Sequence, residues 1–504
     1  MKYEKEAKMK FSLKVFVIMV LVWGTALATN GTYLHGFSAL TMGRGGLSYG
    51  FYDSPLLMMN HPAALAQMNP NFLEADMSLM FPKLHFRNSL NDTDGESSTF
   101  PLLQVAYGSQ FGSSSWFWGF GVFTQGGMGA DFSLKHALFP EKVEYHSQFG
   151  VMEVGPSLAF RGENGMSLGF SVHLLYGQME MWMPYSLSPE IMRGQAMPGL
   201  TFGQMFAAPP DQGGLGYQEV TAYAEMKGLN GFGYNGTISF AYRVNDKLSI
   251  GTAFTSAATL KLRNGDAKMN MTDQFNDAFQ KMTVGALMQM GIDPNQATPD
   301  QWQAAQQAVM GQLGQMGIDM QTGMNGEYTV ETDLKVPARL GAGLRYRTGE
   351  FLTLGVDLEY IAWSGAFDKM PLHFTGGTNS NINTMMGSEN MDLDFPLKWE
   401  DTYVVKLGAE MNFSEMFTGR LGFVHGTNPV PSETLIPIFP AIVENHLMAG
   451  GTIRFSSRFA LHAAYEMALN NSQTVSRSEI AREYDGSTSE LMEHFVHLSF
   501  AVRF

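Results

Sequence analysis

Four cations carry the most explicit chemistry in this sequence. Arg339, Arg345, Lys406 and Arg420 each fall on the polar face of a segment that is apolar at every second residue. A cation held partly out of water binds a carboxylate through charge-assisted hydrogen bonds. The same faces carry Asp357, Glu359 and Glu410, so mutual neutralisation within a wall is the other use open to them. Methionine and the aromatic residues supply a second kind of chemistry. Met192, Met197, Phe202, Met205 and Phe206 lie in one long irregular stretch, and Met282, Met290, Trp302 and Met316 in another. Unbranched, polarizable Met side chains suit apolar ligands of varied shape, and the same residues also serve to pack helices together.

Much other chemistry is missing. The chain has no Cys, which removes disulfides, thiolate metal sites and cysteine nucleophiles. Its 12 His form no H-E-x-x-H. The Met-x-Met pairs Met269/Met271 and Met288/Met290 have no His or Cys beside them, which argues against copper. Asp92-Thr93-Asp94-Gly95-Glu96 is too short for an EF-hand and reads as a solvated loop. No metal and no cofactor is expected.

The composition narrows the class. The 504 residues are 45% hydrophobic and 12% aromatic but only 16% charged, too apolar for disorder and too short of charge for an ordinary soluble enzyme. A formal charge of -15 without a basic stripe speaks against nucleic acid as a partner. The dense basic stretch is at the start, where Lys2, Lys5, Lys8, Lys10 and Lys14 precede the apolar run from Val15 to Trp23 and then Ala26-Leu27-Ala28. This reads as a secretory signal peptide, 1–28, whose apolar run is too short to span a bilayer.

Beyond it no stretch approaches the roughly eighteen consecutive apolar residues of a transmembrane helix. Hydrophobicity recurs instead in segments of about ten residues that alternate apolar with small or polar, joined by short turns on one side and long loops on the other. Only helices and closed barrels satisfy every backbone group in lipid, so the expected fold is an all-β membrane protein, a transmembrane β-barrel spanning 71–504. Val496, Leu498, Phe500, Val502 and Phe504 take one face of the last segment, and His497, Ser499, Ala501 and Arg503 the other. A terminal aromatic on such a strand resembles the signal read by the outer-membrane barrel assembly machinery. Val336, Ala338, Leu340, Ala342, Leu344 and Tyr346 are likewise expected to face lipid. Turns at 112–115, 162–165, 245–247, 347–350, 413–416 and 456–458 imply about fourteen antiparallel strands, an even number as in single-chain bacterial outer-membrane barrels, and a monomer is expected.

Two regions do not read as wall. Residues 29–70 lack sustained alternation and are expected to fold into the lumen as a plug. Residues 266–326 read as two amphipathic helices, the second opened by Thr298 as N-cap, Pro299 at the first position and Gln301 completing a capping box. With a second long loop, 183–230, they are placed outside, over the barrel mouth.

Gly36-Phe37-Ser38-Ala39-Leu40-Thr41-Met42-Gly43-Arg44-Gly45-Gly46, followed by Asn60-His61-Pro62-Ala63, resembles the glycine-rich hatch and N-P-A motif of the FadL-type outer-membrane transporters of long-chain fatty acids and other hydrophobic compounds. His61, between Asn60 and Pro62, departs from that pattern. Val336-Pro337, Asp357-Leu358-Glu359-Tyr360, Trp399-Glu400-Asp401-Thr402-Tyr403 and Asn428-Pro429-Val430-Pro431 resemble the later parts of the family in order. The resemblance implies capture of a hydrophobic molecule between two external loops, passage to an interior site and release through a side opening at a kinked third strand. Gly126, Gly127 and Gly129 would supply that kink, or else merely end the strand. The implied partners are outer-membrane lipids and a hydrophobic small molecule, with long-chain fatty acid leading and alkane or aromatic hydrocarbon open. The implied role is passive transport, not enzymatic. A general porin or structural barrel is the alternative, and an outer-membrane lipase or protease a further one.

Overall fold

The computed structural model describes residues 31–504, so the signal peptide expected at 1–28 lies outside the described residues. Fourteen antiparallel strands form one closed wall. Six are β1 (Phe72–Arg87), β2 (Phe100–Gln110), β3 (Trp116–Leu134), β4 (Val143–Arg161), β5 (Met166–Leu187) and β6 (Val220–Arg243). Four are interrupted midway: β7 (Leu248–Thr255 and Ala258–Asn270), β8 (Asn325–Val336 and Arg339–Arg347), β9 (Leu352–Ile361 and Lys369–Thr375) and β10 (Met391–Pro396 and Thr402–Asn412). The last four are β11 (Phe417–Gly426), β12 (Asn445–Arg454), β13 (Phe459–Thr474) and β14 (Thr488–Arg503). The wall closes where β1 pairs with β14, from Phe72 opposite Arg503 to Arg87 opposite Thr488. Closure leaves neither the first nor the last strand with a free edge, as a hydrocarbon surrounding requires.

Polarity inverts along the barrel axis. On β5 the outward residues Leu168, Phe170, Val172 and Leu174 are exposed, opposite buried Ser167, Ser171 and His173. Further up the same strand Met179, Met181 and Met183 are buried on the inner face, and Gln178 and Glu180 lie outside. An apolar exterior suits lipid, whereas a polar exterior over an apolar interior suits a cylinder rising out of the bilayer. On β7 to β10 the inversion coincides with the interruptions.

That inversion corrects one reading of the sequence. Val336 was expected to face lipid with Leu340 and Leu344, yet it is buried inside with Leu334 and Val330, while Leu340, Leu344 and Tyr346 are exposed outside. The break at Pro337 and Ala338 shifts the alternation by one residue, because proline cannot donate to the ladder. Strands also reach further into the long loops than their composition suggested: β5 and β6 leave 188–219 between them, and β7 and β8 leave 271–324.

Outside the wall stand α2 (Phe202–Ala207), α3 (Thr272–Gln289), α4 (Pro299–Gln315) and α5 (Ser380–Met386), and α1 (Ala39–Met42) lies within it. The capping box of α4 is formed by Thr298 and Gln301 as read from the sequence. On α3 the buried residues are Gln274, Ala278, Thr283 and Leu287, with Phe275, Phe279, Met282 and Ala286 only packed beside them.

Residues 31–70 run through the lumen and are almost entirely buried. Their backbone is paired by inward-facing side chains of the wall. The Ala39 amide donates to Asp76 Oδ2 at 2.9 Å, the Ser48 amide to Asp357 Oδ2 at 2.6 Å and the Ala63 amide to Ser239 Oγ at 2.8 Å. These contacts supply the partners that an irregular buried backbone lacks. Where the segment touches the wall most closely the wall residue is glycine: a Cβ on Gly422 would stand 2.1 Å from the Gly45 amide nitrogen. Gly422→Leu is therefore expected to push the lumenal segment off the wall and lower stability by about 1–3 kcal/mol, measured as a lower denaturant midpoint for a barrel that still assembles.

Candidate functional site

Strand β3 is where the wall departs from regular pairing. It pairs with β2 only from Gln104 opposite Phe123 to Gln110 opposite Phe117, yet continues to Leu134 against β4. A register shift falls between Thr124 and Gly126, and Gly126 has a φ of 154°, which favours glycine. Gly127 and Gly129 remain paired with Gly150 and Gln148, so these glycines do not end the strand. Side chains replace the ladder at the break. Gln104 Nε2 donates to the Thr124 carbonyl at 3.2 Å, the Thr124 amide donates to Gln104 Oε1 at 2.8 Å, and Thr124 Oγ1 donates to the Leu103 carbonyl at 3.2 Å. The Leu34 amide of the lumenal segment donates to the Gln125 carbonyl at 3.4 Å.

Just inside lies an apolar pocket of about 20 Å³, lined by Met128, Phe149, Met179, Leu334, Phe367, Met370, Leu397 and Phe439. Phe439 comes from the loop 427–444, whose Leu435, Ile436, Ile438, Phe439, Ile442 and Val443 are all buried. Ser147 Oγ on β4 donates to the Ile438 carbonyl at 2.5 Å and pins this loop inward. The apolar run Leu435-Ile436-Pro437-Ile438-Phe439 was its visible signal in the sequence.

The four cations separate into two pairs. Lys406 Nζ donates to Glu359 Oε1 and to the His35 carbonyl, each at 2.8 Å. Arg420 Nε donates to Glu410 Oε2 at 2.7 Å, and its Nη1 to Thr452 Oγ1 at 2.6 Å. Arg339 and Arg345 form no ion pair among the described residues, and Arg339 Nε and Nη2 and Arg345 Nε are buried without a hydrogen bond. The Arg339 guanidinium lies 4.4 Å over the Tyr33 ring, which is 5.5 Å from Trp363, itself 4.9 Å from Phe367 of the pocket. Within the lumenal segment, Arg44 makes a two-pronged pair with Asp53 at 2.6 and 2.8 Å, a pairing that no spacing in the sequence marks.

Asn60 caps the turn Pro55–Met59 and His61 precedes the turn Pro62–Ala66. Both His61 ring nitrogens and Asn60 Oδ1 are buried without a hydrogen bond, and the His61 ring sits 5.8 Å from Tyr49 and 6.0 Å from Tyr52. Pro62 and Ala63 lie against Gly169 of β5, where a Cβ would meet the Ala63 nitrogen at 2.1 Å.

Among the loop residues, Met192, Phe202, Met205, Phe206 and Met316 join the buried core and Met282 packs against it. Trp302 is half-buried, and Met197 and Met290 are exposed. A separate external cavity of about 600 Å³ lies between other loops and is lined by polar groups that include His136, Glu219, Asp277 and Glu483. Gly165-Met166-Ser167-Leu168-Gly169 matches the G-x-S-x-G of a hydrolase elbow, a motif that places serine on a strand-to-helix turn. Here it opens the unbroken strand β5, and Ser167 Oγ accepts from Gln67 Nε2 at 2.9 Å.

Residues 20–504 match the model of the family described as outer membrane protein transport protein (OMPP1/FadL/TodX). The chain belongs to that family. It is an outer-membrane protein with the family's fourteen-stranded barrel. It is similar to the crystal structure of the Pseudomonas putida toluene transporter TodX, at 15% identity and a TM-score of 0.66, over 94% of this chain and 100% of that one. A Pseudomonas aeruginosa FadL homologue gives 16% identity and a TM-score of 0.67 over 94% and 100%. The Ralstonia pickettii toluene transporter TbuX gives 17% and 0.59 over 93% and 99%. No curated protein matches the sequence.

In this OMPP1/FadL/TodX-family chain the external loop 475–487 holds a titrating group. Burial raises the Glu483 carboxyl to about 7, although the Tyr145 hydroxyl donates to it at 2.7 Å. Burial lowers His136, 3.7 Å away, to about 4. A carboxyl held above its ordinary 4.5 keeps its proton longer in the folded state, so the stability it supports is complete below 4.5 and is lost as pH rises to about 7. His136 acts oppositely, losing stability as pH falls from 6.5 to about 4. Protease cleavage within 475–487 should therefore increase between pH 5 and 8 in the parent protein and stay flat in Glu483→Gln, a comparison limited proteolysis makes directly.

Proposed function

We propose that this protein carries hydrophobic small molecules passively into the outer membrane, with long-chain fatty acids as the leading substrate class. A molecule enters the apolar upper barrel from the loop layer around Met192, Phe202, Phe206, Met282 and Met316. It then reaches the pocket beside Met128 and Phe439 and leaves sideways at the β2–β3 break.

The observation that carries this reading is the loss of backbone pairing above Gln104 next to a wholly apolar pocket. Each methylene transferred from water into such lining contributes roughly 0.8 kcal/mol, so about eight would offset ordering costs of several kcal/mol. The pocket is nearly closed, and the flexible Met128, Met179 and Met370 are the side chains able to yield. A general porin would need an open polar lumen, whereas residues 31–70 fill this one.

Arg339 supports a ligand with a carboxylate. It is half-buried, has two buried nitrogens without hydrogen bonds and is linked through Tyr33 and Trp363 to the pocket wall. Fatty acid is favoured over toluene on this point, although two of the similar structures are of toluene transporters.

Deleting Gln125 would restore continuous register and close the break. Uptake of oleate by proteoliposomes or by cells lacking other routes should then fall at least about tenfold while the folded barrel still accumulates. Unchanged uptake rejects the lateral route. Arg339→Met should reduce oleate binding to detergent-purified protein by about 1.5–3 kcal/mol and leave toluene binding within a few tenths. Equal loss for both ligands rejects the carboxylate contact.

A further inference from the structure

Three imidazoles and a carboxylate meet inside the barrel, outside the route just described. His35 comes from the lumenal segment, His446 from β12, Glu466 from β13 and His497 from β14. All four side chains are buried. His446 Nδ1 lies 3.0 Å from Glu466 Oε1, His35 Nε2 lies 3.9 Å from the same oxygen, and His497 Nε2 lies 3.3 Å from Glu466 Oε2. The His35 and His446 rings stand edge to face with centroids 4.4 Å apart.

The His446 and His497 approaches are of hydrogen-bond length but are not aligned as hydrogen bonds. Both Glu466 oxygens, both His446 nitrogens and His497 Nε2 are buried without an aligned hydrogen-bond partner. A buried carboxylate in that condition is costly unless something cationic satisfies it. Lys406, whose ammonium reaches the His35 carbonyl, is already engaged by Glu359. Glu493, also on β14, adds a second buried carboxylate whose oxygens have no hydrogen bond.

We infer that His35, His446 and Glu466 bind one divalent transition-metal ion of the zinc class and thereby tie the lumenal segment to the wall. One donor atom from each lies within 4.8 Å of the others. Metal–ligand bonds of about 2.1 Å in a tetrahedron place donors about 3.4 Å apart, between the 3.0 and 3.9 Å separations observed. Two imidazoles and a carboxylate suit zinc, cobalt or nickel, whereas calcium or magnesium would require more oxygen donors. His497 supports the set from behind. It approaches the second Glu466 oxygen, and its Nδ1 shares a 2.7 Å hydrogen bond with Ser78 Oγ, which donates to Asp76 Oδ1 at 2.8 Å. Asp76 in turn accepts from the Ala39 amide of the lumenal segment. An outer partner of this kind orients a ligand and raises its basicity.

The inference is tested on tag-free, full-length mature protein purified in detergent. The protein is stripped with EDTA and refolded with Co²⁺, then read by elemental analysis and by the visible bands of tetrahedral cobalt. A single tightly held equivalent per chain is expected. His446→Ala and His35→Ala should each weaken cobalt binding at least about tenfold, while His85→Ala, altering the exposed His85–Asp92–Asp94 group, should not. Heat-modifiable migration in gels reports whether each variant has folded. Less than about a tenth of an equivalent in the refolded parent protein overturns the site whatever the variants do. Binding that survives His35→Ala but not His446→Ala overturns the tie between segment and wall.

Discussion

A peptide group left without a hydrogen bond in hydrocarbon costs several kcal/mol, and that constraint governs this structure from end to end. It requires closure of the wall where β1 meets β14, and it makes any gap in the ladder expensive. The one between β2 and β3 is tolerated because Gln104 and Thr124 lend their side chains to the freed backbone and Leu34 comes from inside to meet the Gln125 carbonyl. Side-chain bonds of this sort hold the backbone while leaving it free of a continuous strand partner. The backbone at the break itself thus keeps hydrogen bonds although the ladder stops there.

The same constraint explains why the lumen is polar where lipid surrounds it and apolar above. A segment without regular secondary structure needs donors and acceptors along its whole length, and Asp76, Ser239, Asp357 and Ser499 supply them from the wall. Glycines at the closest contacts, Gly169 and Gly422, remove the side chains that would hold it away. Once the cylinder clears the bilayer, its outer face meets water and takes Lys261, Asp333, Lys369 and Asp394, while its inner face is freed for Met181, Met183, Leu260 and Phe374. An apolar chamber over a polar stopper follows from where the membrane ends.

Legibility of this architecture in the sequence depended on how many faces of an element were constrained. Strands with lipid outside and polar groups inside, such as β14, alternate plainly, and their outward and inward residues were readable one by one. In the upper barrel the alternation persists with reversed meaning, and Pro337 shifts its phase, so Val336 was assigned to the wrong side. The end of β5 and the start of β6 read as loop because Met183 and Pro184 on the first and Met226 and Gly228 on the second weaken the strand signal. The cations were placed in the lumen from parity alone, but which of them is engaged depends on partners distant in sequence: Glu359 lies 47 residues from Lys406 and Glu410 lies 10 from Arg420. His35, His446 and Glu466 had no sequence signal, because their meeting requires the barrel to close and the lumenal segment to thread it.

Residues 33–37 concentrate these separate features in five consecutive positions. Tyr33 lies under the Arg339 guanidinium and against Trp363, Leu34 holds the carbonyl at the break, His35 faces His446 and Glu466, and Phe37 packs its ring 5.7 Å from Phe123 at the last β2–β3 pair. A backbone shift at one of these positions moves its neighbours as well, since adjacent residues are about 3.8 Å apart and share a single backbone path. On the proposed route, a ligand that shifts the backbone at Tyr33 pulls on Leu34 at the break, and an ion anchoring His35 resists it. On that route the wall supplies the break, and the strength with which this short stretch is held sets how readily it is used.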